Sequence, residues 1–225
     1  MISFSPRSVR TFTVLLLAAL LLSGCANGEL AMPRMTGPLF KPGNHLGEVR
    51  LPVAIRRVAL LPLHGGKVVP AESLDMLDRG FLQELLRVER FEAVLLTRET
   101  MVRLFGERQF SSVEALPHEF LAAIARDQAV DAVLFIDITS YSAYQPLQIG
   151  VRAKLAATAT GNLLWSFDTL FSADNPTVVN SARLFALGGK KGARPLIDRS
   201  SSVLQSPSQF GTYAAATTFA TLPPR

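Results

Sequence analysis

The sequence predicts an α/β domain: a mixed β-sheet of about four to five strands, two of them an antiparallel hairpin, packed by helices. Three patterns point there. The run DAVLFIDIT (131–139) is apolar on both of its alternating faces, the mark of a central strand covered on two sides. The segment after it alternates, with Ile149, Val151, Ala153 and Leu155 against Arg152 and Lys154, then turns at Gly161-Asn162 and returns as LLWSFDTLF with Trp165, Phe167 and Phe171 on one face. Between such runs stand stretches with apolar residues three and four apart, led by Leu74, Leu77, Phe81, Leu82, Leu85 and Leu86.

The chain opens differently. Arg7 and Arg10 precede the apolar run FTVLLLAALLL (12–22), and the small residues Ser23 and Gly24 follow it, as in a secretory signal. The run is about half the roughly 20 apolar residues that a membrane-spanning helix needs. Leu22, Ser23, Gly24 and Cys25 form a tetrad that resembles a bacterial lipobox, and Cys25 is the only cysteine of the chain. A thiol destined for a thioether cannot also serve a disulfide, so a single cysteine suits lipidation at Cys25. Several acyl chains, palmitate among them, would make that anchor lasting where one chain holds weakly. By the same resemblance, Ala26 after the cysteine implies the outer membrane, because the inner-membrane retention residue, Asp, is absent.

Residues 1–24 thus read as a signal peptide, 25–52 as lipidated cysteine and flexible tether, and 53–225 as a single periplasmic domain. The stretch 26–52 holds four prolines and four glycines and shows no period. As a coil of about 25 residues it would average ~28 Å end to end. From Arg57, RVALLPL reads as a buried strand stopped by Pro62, and a helix follows with Pro70 at its first position. FEAVLL (91–96) is a second strand, and Thr97 caps a short helix from Arg98 to about Phe105.

A third helix opens at Pro117 with the stripe Phe120, Leu121, Ile124 and Ala125, ahead of the central strand and hairpin. Asn175 and Pro176 start a helix that stops at Gly188-Gly189, and Ser206 with Gln209 forms a capping box around Pro207 for the last one. There Phe210, Tyr213, Ala214 and Thr217 lie one above another. The stretch between, KKGARPLIDRSSSVLQ, has no period and reads as a long surface loop; its basic residues make 188–202 a candidate interface.

The segments RRVALLPL, FLQELLRVERFEAVLL, DAVLFIDIT and RAKLAATATGNLLWSFD, in that order, resemble the CsgG-like lipoproteins and the amino-terminal domain of TolB. The resemblance runs from Arg56 to Phe171. It implies a non-enzymatic envelope protein that assembles into rings or binds partners. The paired amphipathic strands of about 9 to 11 residues from which channel-forming members build a barrel have no counterpart here. The long tether of the synthase activators has none either.

Enzymatic chemistry would need convergent polar groups. His45, His64 and His118 fall in linker, turn and helix start without HxxxH or CxxC spacing, so no metal site is expected. There is no G-x-S-x-G elbow, and HGGKVV lacks the spacing and the Ser or Thr of a phosphate loop. Asp127, Asp131 and Asp137 are the close carboxylates that could suggest a glycosidase pair. A structural role suits them better, with Arg152 on the neighbouring strand as a candidate partner for a buried Asp137. The formal charge of +5, lowered by two when Arg7 and Arg10 leave with the signal, is too mild for a nucleic-acid binder. Arg56-Arg57 and Lys190-Lys191 are short pairs without interleaved aromatics.

The expectation is therefore a protein without catalytic residues, cofactor, metal or small-molecule substrate, held to the periplasmic face of the outer membrane. It would work by self-association or by contact with another envelope protein, as an oligomeric accessory in polysaccharide or protein export. The alternative is a monomeric lipoprotein activator of a peptidoglycan synthase.

Overall fold

The structure is a computed structural model that describes residues 37–188 and 201–225; Cys25, the signal segment and most of the 188–202 loop lie outside the described residues. Six strands form one sheet: β1 His45–Gly47, β2 Arg57–Leu60, β3 Glu92–Leu95, β4 Ala132–Ser142, β5 Gln148–Ala157 and β6 Leu163–Ser172. Their order is β1-β6-β5-β4-β2-β3. The half β4-β2-β3 is parallel, and the half β4-β5-β6-β1 is antiparallel. Among the described residues the helices are α1 Ala71–Val88, α2 Arg98–Phe105, α3 Phe120–Gln128, α4 Pro176–Ala186 and α5 Pro207–Phe219. None is long and apolar enough to cross a membrane.

Period two along the strands sends alternate side chains into two separate cores. On one face Val58, Leu134, Ile136, Val151, Leu155, Trp165 and Phe171 pack with Leu77 and Phe81 of α1, Val178 of α4 and Phe210 and Tyr213 of α5. On the other, Ala59, Val133 and Phe135 pack with Met101 of α2 and Phe120 and Ile124 of α3. This second core covers only the parallel half, so β5 and β6 keep Arg152, Lys154, Ser166 and Asp168 half-buried on that side. Beyond it, Leu163 and Leu170 stay exposed.

Local chemistry sets the ends of the elements. The Thr97 side chain accepts from the Thr100 amide at 3.2 Å, and Asn175 Oδ1 accepts from the Thr177 amide at 3.0 Å, both N-caps. Gly106 and Gly188 close α2 and α4 at positive φ. Three starts differ from expectation. Pro70 sits one position before α1, as its N-cap. Pro117 opens a turn, accepting from the Phe120 amide, and the left-handed Glu119 delays α3 to Phe120. The box at Ser206 is half closed: its side chain accepts from the Gln209 amide at 3.4 Å, while Gln209 Oε1 accepts from Ser202 Oγ instead of reaching back. Helix α5 is also buried more widely than a stripe, taking in Gly211, Ala215, Thr218 and Phe219, because it lies against α1 as well as the sheet.

The expected tether needs correction for its described part. Residues 37–52 are laid onto the domain as a strap. The Phe40 amide donates to Ser181 Oγ at 2.7 Å, its ring meets Phe171 at 5.6 Å, β1 pairs with β6, and Leu51 is buried. Single anchors and a three-residue strand leave no period to read, so a proline- and glycine-rich composition conceals them. The carboxyl end is fixed too: the Leu51 amide donates to Pro224 O, and Trp165 Nε1 donates to Thr221 Oγ1.

Candidate functional site

The three aspartates of interest are not brought together as a catalytic pair; each has its own partners. Asp127, at the end of α3, receives both Nη1 and Nη2 of Arg103 at 3.2 and 3.0 Å, and that guanidinium holds its carboxyl below the usual range. Asp131, just before β4, accepts the amides of Arg56 and Arg57 at 2.8 and 2.9 Å, and those two bonds lower its pKa. It thereby clamps β2 to β4. Asp137, near the end of β4's regular run, accepts the amide and hydroxyl of Ser112 and faces His64 Nδ1 at 3.4 Å.

Arg152 is not the partner of Asp137. The two stand opposite each other in register, yet Arg152 Nε turns to the other neighbour and binds Asp168 at 2.7 Å. Burial explains the choice: Asp137 lies under the loop after α2, whose Ser112 donates twice and whose carbonyl accepts from Lys154 Nζ at 2.8 Å. The Ser112 hydroxyl donates to the carboxylate and not to the imidazole, so the three groups are not ordered as a serine–histidine–aspartate relay. The cluster His64, Ser112, Asp137 and Lys154 pins a loop. His45 is exposed on β1 and His118 on the approach to α3. Among the described residues no three His, Cys, Asp or Glu side chains group as a metal would require.

Two concave places escaped sequence reasoning. One, of about 270 Å³, opens where the parallel strands β2 and β3 end and is lined by Pro62, Asp75, Asp78, Thr97, Arg98 and Arg108. Asp78 accepts the Leu63 amide at 2.9 Å and Arg98, which also reaches Asp75 at 3.1 Å. Burial raises the Asp78 pKa more than these partners lower it. The spacing of Asp75 and Asp78 on one side of α1 was visible in the sequence; their meeting with Arg98 needed the β3–α2 connection. The other is an apolar groove of about 280 Å³ bounded by α4, α5 and the strap, where Leu39, Phe40, Leu184 and Phe185 surround Tyr213.

The surface offers further places for contact. Among the described residues the strands at the sheet's margins, β1 and β3, each pair on one side only. A marginal strand presents a row of backbone N–H and C=O groups on which another strand can pair. Leu46 and Leu95 on them are exposed.

No protein-family model matches the sequence, and no curated protein does. Several solved structures have a similar fold. The PelC dodecamer from Paraburkholderia phytofirmans has 12% identity and a TM-score of 0.48 over 80% of this chain and 96% of that one. Lipoprotein GNA1162 from Neisseria meningitidis has 15% identity and a TM-score of 0.38 over 52% and 79%. The LpoB C-terminal domain from Salmonella enterica has 14% identity and a TM-score of 0.35 over 52% and 82%. At these identities the likeness concerns the fold alone, a mixed sheet packed by helices.

Proposed function

We propose that this chain is a periplasmic lipoprotein, acylated at Cys25 and held to the outer membrane, that acts without catalysis as an oligomeric accessory in envelope assembly or export. The observation that carries the reading is the lone cysteine closing the tetrad Leu22-Ser23-Gly24-Cys25 behind a short apolar run. The resemblance to CsgG-like and TolB-type domains supports an envelope role. The polar groups support recognition over turnover, since Asp127, Asp131 and Asp137 each serve their own backbone or arginine partners. A sheet with two open margins and one bare half-face among the described residues supplies surface for contact between copies.

Analytical ultracentrifugation of the mature lipoprotein in detergent should give one discrete mass of many copies. A monomer at high concentration would overturn the oligomeric reading and favour the synthase activator. Cys25→Ser should move the protein from the membrane to the soluble fraction; unchanged fractionation would refute the anchor.

A further inference from the structure

We infer that the strap is exchanged in the assembly: residues 37–52 of each chain lie across the β6 margin of a neighbouring copy. This rests on the oligomeric reading above and states how the copies hold one another. Among the described residues, the hydrogen bonds that fix 37–51 all run to residues 164–225. Asn44 O accepts from the Asp168 amide at 3.0 Å, the Glu48 amide donates to Leu164 O at 3.1 Å, and the Phe40 and Leu51 amides donate to Thr177 O and Pro224 O. Asn180 Nδ2 donates to Pro38 O, and Arg50 Nη1 to Arg225 O. A neighbour's strap makes each of these bonds as well as the chain's own does, so exchange gives up no contact.

The seat selects its occupant. Gly47 lies flat against it: a Cβ there would stand 3.1 Å from both Trp165 Cδ1 and Pro223 Cγ. Seven residues earlier the Phe40 ring meets Phe171 edge-on at 5.6 Å, and four residues later Leu51 is buried. A strand that fills this margin therefore needs an aromatic ring, a glycine and a leucine in that spacing, which a second copy of this chain carries. A side chain at the glycine position would push against the indole and the proline, which disfavours an unrelated strand.

Between its anchors the strap holds loosely to its own copy. The side chains of residues 43–50 are all exposed, and β1 has three residues. Leu46, Val49 and Val53 are 78%, 89% and 79% exposed, an apolar strip without cover among the described residues. Val53 stands in the turn that joins the strap to β2, closed by the Ile55 amide on Pro52 O at 2.9 Å. Opened, the five residues 52–56 reach roughly 17 Å and carry the strap onto the next copy. The linker then runs between two bodies, where Val49 and Val53 lose their water. Return to the chain's own seat competes through an effective concentration in the millimolar range, so the covered strip decides the balance. Passed from copy to copy, the exchange closes a ring in which every seat is filled.

The test uses the full chain with Cys25→Ser, so that introduced cysteines are its only thiols, and adds Leu46→Cys with Ser166→Cys. These residues face each other across β1 and β6. Facing Cα atoms of antiparallel strands stand about 4.5–5.5 Å apart, a separation that admits a disulfide. After oxidation of the concentrated protein, a denaturing gel should show covalent multimers, and mass spectrometry should find residue 46 of one chain joined to residue 166 of another. Val49→Ser with Val53→Ser should lower the share of multimers about tenfold, since covering one valine is worth at least that factor. Asn44→Cys with Asp168→Cys, whose backbones also bond, replaces the first pair should it fail to fold. An oligomer by sedimentation whose disulfides all lie within single chains would overturn the inference and leave the oligomeric reading standing. Links between residue 46 of two chains would overturn it as well, since they place two straps side by side. A chain that sediments as a monomer at high concentration would remove the oligomeric reading, and this inference with it.

Discussion

Replacing Asp137 by alanine removes the acceptor that holds the loop after α2. The Ser112 amide donates to its two oxygens at 3.1 and 3.2 Å, the Ser112 hydroxyl donates as well, and His64 Nδ1 stands at 3.4 Å. Hydrogen bonds to a charged group are each worth about 1.5–3 kcal/mol. Two from Ser112 set a ceiling near ~6 kcal/mol, which falls because Ser112 is only half-buried and water reaches it, and because a desolvated carboxylate is no longer carried. About 3 kcal/mol remains, or roughly 6–12 °C in Tm for a domain of this size. The single, buried Trp165 reports unfolding by its fluorescence. Arg152→Ala is the control: its pair with Asp168 is 32% and 44% exposed, so it should cost below about 1 kcal/mol. Equal losses for the two variants, or an Asp137→Ala midpoint unchanged from wild type, would refute the assignment of Asp137 to Ser112.

Three further outcomes are expected. Gly150→Val should cost about 2 kcal/mol, because a Cβ there would lie 2.4 Å from Thr139 Oγ1 and 3.0 Å from the Ser140 amide at the β4 bulge; wild-type stability in urea would contradict that. Phe81→Ala should cost about 3–5 kcal/mol, since Phe81 is fully buried and meets the Phe219 ring edge-on at 5.9 Å; a loss under about 1 kcal/mol would show that α1 and α5 do not pack as described. Asp131 has a folded pKa below its unfolded value of about 3.9, so its contribution is present above that value and is lost as pH falls through the folded one. Asp131→Asn should therefore lower stability at pH 7 and flatten its decline between about pH 5 and 3; parallel stability curves would count against the clamp.

Much of the scaffold was legible because it rests on local rules. The run 131–139 shows its burial on both faces in its own residues, and β4 pairs with β2 on one side and β5 on the other. The hairpin register follows from alternation and from Gly161 at positive φ. Thr97 and Asn175 cap helices through groups two or three residues away. The strap was not legible, because Phe40 depends on Ser181 and Phe171, more than a hundred residues on. Nor was the partner of Asp137: both Arg152 and Ser112 were available in sequence, and only burial under the loop favours Ser112.

The sequence by itself determined the order of strands and helices, most of their ends and the lone cysteine behind an apolar segment, because periodicity, capping and small-residue spacing act within a few residues. The tertiary structure decided which carboxylate meets which donor, and that residues 45–47 of the strap add a strand to the sheet while Phe40 and Leu51 anchor it on either side. Those outcomes depend on burial and on distances between segments far apart in the chain, and no local pattern records them.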